Sequence, residues 1–121
     1  MITWFEEHNK ISWLIVLSIG FIIFHLSSLT FKGVYTGPSI NSYIYHFLAF
    51  FFLSLFLLIS MTQGKHKTFF LVAIFVAILY GISDEIHQFF IPGRYCSLID
   101  ILTDSIGILS SGILYTLRFK K

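Results

Sequence analysis

Apolar and polar positions along the chain fall into long alternating blocks rather than short periodic segments. Residues 11–30 are nearly all apolar, interrupted by Ser12, Ser18, Gly20, His25, Ser27 and Ser28. A second apolar run covers about 43–61, a third about 68–90 and a fourth about 98–117. About 20 residues rising roughly 1.5 Å each cross a hydrocarbon layer of about 30 Å, so each block predicts a membrane-spanning helix. Residues 31–42, with Lys32, Gly33, Gly37, Pro38, Ser39 and Asn41, carry the turn chemistry of a loop, and 62–67 make a short basic hairpin connection. The expected fold is an all-α integral membrane protein, one four-helix bundle spanning 1–121.

The third run needs a decision at its end. Its apolar part stops at Ser83 and two acids follow, Asp84 and Glu85. A helix ending there would set both against the negative end of its dipole. Continuation to about Phe90 avoids this, with termination before Pro92, because the residue preceding proline avoids helical geometry. The first run is long for a signal-peptide core and lacks a small-residue cleavage pattern after it, so it reads as a retained span.

Composition agrees with this pattern. The 121 residues are 56% hydrophobic and 12% charged, and 15 are Phe, a profile displaced from soluble proteins towards membrane ones. A formal charge of +2 with no basic stripe offers nothing to nucleic acid. The single cysteine, Cys96, excludes an intrachain disulfide. Lys10, Lys65, Lys67, Arg118, Lys120 and Lys121 flank one side of the four predicted spans, and only Lys32 and Arg94 the other. The positive-inside rule then places both termini in the cytoplasm and residues 84–97 on the outer face of a cytoplasmic membrane.

That placement gathers the chemistry. Every acid except Glu6 and Glu7 lies between Asp84 and Asp104, in the segment SDEIHQFFIPGRYCSLIDILTD. Ionisable groups at membrane spans are costly, and they read as a site by default. His25, His46, Asp84, His87, Asp100 and Asp104 all fall at the outer end of their spans. Asp84, His87 and Gln88 share one helical face, with Glu85 about 100° away. Asp100, Asp104, Gly107 and Ser111 form a stripe on the last helix, and Asp84 with His87 is expected to face it. Gly107 and Ser111 are a small-xxx-small pair that permits close helix approach, within one bundle or between two. The segment Ser97-Leu98-Ile99-Asp100 also fits a helix capping box, which would explain Ser97 and Asp100 without function.

Two kinds of chemistry suit this group. A binding pocket for a lipid or lipid-like head group would use Arg94 to hold a phosphate or carboxylate bidentately. Asp84, Glu85 and Asp104 would then take amines. An envelope-lipid hydrolase or transferase would instead use Asp84, His87, Asp100 and Asp104 as mixed O/N ligands for a divalent metal. Glu85 or His46 would act as base and Arg94 would stabilise developing charge; without metal, Asp84 and His46 could do acid–base work. A purely structural reading, in which the cluster locks the third and fourth helices together, predicts that charge-neutral replacements change stability alone.

From Ser83 to Arg94, then at Ser97, Asp100 and Gly107, the chain resembles the VanZ-like family of small bacterial membrane proteins. The family pattern is roughly D-E-x-x-Q, then P-x-R, then D-x-x-x-N/D-x-x-G opening the next helix. His46-Phe47 matches a further His-Phe element at the start of the second span. Asp104 stands where many relatives are expected to carry Asn. The resemblance implies Asp84, Glu85, Gln88, Arg94, Asp100 and His46 as family positions. It also implies an association with low-level resistance to teicoplanin, a glycopeptide with a lipid tail.

Overall fold

A computed structural model describes residues 1–28, 40–92 and 98–119 of the chain, with residues 118 and 119 as backbone only. Five helices follow one another: α1 (Ile2–Glu7), α2 (Asn9–Ser28), α3 (Ile40–Thr62), α4 (Phe69–Phe89) and α5 (Leu98–Phe119). Among the described residues there are no strands. Four helices, α2 to α5, are long and apolar enough to cross a membrane. Of the expected 31–42 loop, residues 31–39 lie outside the described residues, and α3 already begins at Ile40. As expected, α4 runs on through Asp84 and Glu85 to Phe89, two residues short of Ile91 and the following Pro92.

The outward surface accounts for the membrane reading better than length alone. Phe21, Leu71, Phe75, Leu79, Leu109 and Ile113 are among many large apolar side chains left exposed. An apolar surface this extensive is far beyond the patches a soluble monomer leaves in water. Lipid would cover it.

Lipid tails are as apolar as leucine, so association between spans depends on close packing and interhelical hydrogen bonds. Helix α3 is the centre and the most buried of the four spans. Its Phe50, Leu53, Leu57, Leu58 and Ile59 form the core with Ala73 and Ala77 of α4 and Ile108 and Tyr115 of α5. At Gly107 the backbones of α5 and α3 approach so closely that a Cβ would stand 2.5 Å from Phe47 O. A turn along, Ser111 Oγ donates to Ser54 Oγ at 2.8 Å. The Gly107/Ser111 pair therefore packs within one bundle. Ala73, Ala77 and Gly81, at i, i+4 and i+8, give α4 a smooth inner face, while Tyr80 Oη donates to Gly20 O of α2 at 2.5 Å.

One end of the bundle carries the N-terminus and the last turn of α5. There α1, a short helix absent from the sequence pattern, breaks from α2 at His8. Tyr115 Oη of α5 donates to Glu6 Oε1 at 2.7 Å and stands 2.5 Å from Thr62 Oγ1. It also accepts Gly64 N at 3.2 Å. Gly64 has φ +70°, and a Cβ there would lie 2.8 Å from Glu6 Oε2, so the α3–α4 turn requires glycine. This network fixes the end of the bundle remote from the acidic segment.

Candidate functional site

At the opposite end the last turns of α2 and α4 meet the first turns of α3 and α5, which is how antiparallel spans bring residues distant in sequence to one depth. Asp84, Glu85, Gln88, His46 and Asp104 are all buried there. They form two adjoining groups because α4 packs against α2 on one side and against α3 and α5 on the other. Successive helical residues point about 100° apart. Asp84 therefore turns towards α2 and Glu85 towards α3 and α5.

On the α2 side, Ser27 Oγ donates to Asp84 Oδ1, and Gln88 Nε2 donates to Ser27 Oγ at 3.1 Å. Ser28 Oγ lies 2.8 Å from His87 Nε2, and the His87 ring stacks on Phe24 with centroids 4.7 Å apart. On the α3–α5 side, His46 Nδ1 is 2.8 Å from Asp104 Oδ1, and His46 Nε2 is 3.9 Å from Asp100 Oδ2. Glu85, with no exposed surface, completes this second group: one potential ligand atom each from His46, Glu85 and Asp104 lie within 4.8 Å of one another.

The expected face-to-face meeting of Asp84 and His87 with the α5 stripe needs correction for His87, and for Asp84 only in part, since its charge still reaches Asp104. Both residues bond to α2, and it is Glu85 that joins His46 and Asp104. The angular separation of Asp84 and Glu85 is legible in sequence; which of the two faces which neighbour is set by packing. The ion-ligand set expected from sequence, Asp84, His87, Asp100 and Asp104, is thus divided between the two groups. His25 is exposed alongside Phe21, with ring centroids 6.5 Å apart, and takes no part in the gathering. Arg94, Cys96 and Ser97 lie outside the described residues. Asp100 lies in the first turn of α5, half-buried.

Sequence reasoning passed over Ser27 and Ser28 as mere interruptions of an apolar run. Their signal was position: two hydroxyls in the final turn of a span, at the depth where the other polar groups gather. In a membrane such groups hydrogen-bond across helices. Here Ser27 ties α2 to two residues of α4.

A family model described as VanZ/LLP1 matches residues 3–119, nearly the whole chain. The chain belongs to the VanZ/LLP1 family. Its four apolar spans agree with a multi-pass membrane protein of that family. No curated protein and no solved structure matches it. The match covers α1 as well as the four spans of this VanZ/LLP1 member, so the Glu6–Tyr115 contact and the buried polar end both lie inside the family's extent.

Proposed function

We propose that this VanZ/LLP1 member resides in a bacterial cytoplasmic membrane, termini inside, and alters susceptibility to lipid-tailed glycopeptides such as teicoplanin. It does so by holding a lipid or lipid-like head group in the polar end of the bundle, which faces outward. The observation that carries this reading is the burial of Asp84, Glu85, Gln88, His46 and Asp104 at one end of four apolar spans. Beside it, an apolar groove of about 390 Å³ runs between α2 and α3, lined by Ile19, Ile23, Tyr45, Leu48 and Phe52 among others. Tyr45 of that groove precedes His46 of the polar group. A head group in the polar end and an acyl tail in the groove would be a matched pair of environments. Arg94, two residues after Pro92 in the sequence, would take the anionic part of the head group.

The test is susceptibility of a sensitive host expressing the full chain. Tolerance should rise towards the lipid-tailed drug and stay unchanged towards a glycopeptide without a tail. Arg94→Lys and Asp84→Asn should each abolish the difference at equal protein level. Equal tolerance to both drugs, or survival of the effect in both variants, would defeat the reading.

A second reading, hydrolysis or group transfer on an envelope lipid, draws on the His46–Asp104 contact at 2.8 Å. An imidazole oriented by a buried carboxylate is the form a general base takes. Loss of the phenotype in Glu85→Gln with ligand binding retained would select this reading over simple binding.

A further inference from the structure

We propose that His46, Glu85 and Asp104 form a binding site for one divalent transition-metal ion, of the zinc or manganese class. The proposal shares His46, Glu85 and Asp104 with the head-group reading but does not rest on it, and ion uptake and drug tolerance are read separately.

The three residues come from three different helices, α3, α4 and α5, and each is at most 3% exposed. One donor atom from each lies within 4.8 Å of the other two. Ligand atoms about 2.1 Å from a tetrahedral ion stand roughly 3.4 Å apart, so small side-chain shifts would close this set around an ion. One imidazole and two carboxylates suit borderline divalent ions and leave coordination positions open for water or substrate.

A further observation concerns one of the three ligands. Asp104 Oδ1 meets His46, while its Oδ2 has no hydrogen-bond partner among the described residues despite full burial. A buried carboxylate oxygen left without a donor is costly, and a cation would satisfy it. Oδ2 lies alongside Gly81, 3.5 Å from where a Cβ would stand. The supporting contacts also fit. Asp100 Oδ2 stands 3.9 Å from His46 Nε2, beyond hydrogen-bond reach but near enough to add negative charge beside the ring. The bond Ser27 donates to Asp84 and the one it accepts from Gln88 hold the rotation of α4 that directs Glu85 inward.

The full chain, purified in chelator-treated buffer and placed in nanodiscs of neutral lipid, would be titrated with Mn2+. Free ion is read from its paramagnetic resonance signal. One Mn2+ per chain should be taken up and be displaced by Zn2+. Affinity should fall at least about tenfold in Glu85→Gln and in Asp104→Asn, while Glu7→Gln, at an exposed position, leaves it unchanged. In protein labelled with 15N-histidine, the bound ion should couple to one imidazole nitrogen. No uptake of Mn2+ or Zn2+ by the wild-type chain would overturn the proposal, as would uptake unaltered in both carboxylate variants. Should those variants not fold, the wild-type protein still decides: a bound ion with no imidazole coupling overturns the site.

Discussion

Removing the His46 ring leaves Asp104 buried without the base that meets its Oδ1 at 2.8 Å. Breaking a buried pair from one side costs more than replacing both members, because the remaining charge stays out of water. His46→Ala is therefore expected to destabilise the bundle by about 3 kcal/mol, and His46→Ala with Asp104→Leu by clearly less. Equilibrium unfolding in mixed detergent measures both; equal losses would show that the two residues do not act as a pair. At this scale sequence reasoning reached the residue types and their depth. It did not reach the division of labour between Asp84 and Glu85. Neighbours in sequence share every local property, and only the helices on either side of α4 tell them apart. Ser27 escaped for a similar reason, since one hydroxyl in an apolar run has no meaning until its partners Asp84 and Gln88 are placed.

Between elements, the tightest junction is α3 against α5. A Cβ at Gly107 would stand 2.5 Å from Phe47 O and 3.2 Å from Phe51 N, both backbone atoms that cannot swing aside. Gly107→Ala should separate the two helices and cost about 2 kcal/mol. Gly112→Ala is the contrasting case, because its Cβ would meet Ile74 Cδ1 at 3.2 Å, the far end of a flexible side chain. There the gain in helix propensity, up to about 1 kcal/mol, offsets the contact, and stability should change little. Thermal unfolding of the two variants in the same detergent provides the check; matching losses would refute the close approach. The spans themselves were plain in the sequence, because a bilayer demands long apolar runs whatever surrounds them. Helix α1 was not, since six residues (Ile2–Glu7) are too few to establish a period. It is held by tertiary contacts: Glu6 to Tyr115, and Phe5 edge-on to Phe56 with centroids 5.0 Å apart.

For the molecule as a whole, the two ends differ in chemistry. One joins α1, the α3–α4 turn and α5 through Glu6, Gly64 and Tyr115. The other gathers the buried carboxylates and His46. With Lys65 and Lys67 beside the first end and only Lys32 and Arg94 flanking the second in sequence, the orientation we propose puts the first end in the cytoplasm, as the positive-inside rule expects. Cys96, the only cysteine, reports on this directly. A membrane-impermeant maleimide should label it in intact cells, without permeabilisation. Labelling that requires a permeabilised membrane would invert the orientation and remove outward access to the site.

Sequence alone determined the four spans and the end of the bundle at which His46, Asp84, Glu85, Gln88 and Asp104 gather, because span length and charge cost answer to the bilayer and need no knowledge of neighbours. Tertiary structure alone decided the rotation of each helix about its axis. That rotation directs Glu85 to His46 and Asp104, turns Asp84 and His87 towards α2, and leaves His25 on the exterior. The reason is physical: a span that is apolar on every side is content with lipid at any rotation, so its phase is chosen by the small residues and hydrogen bonds of the helices packed against it.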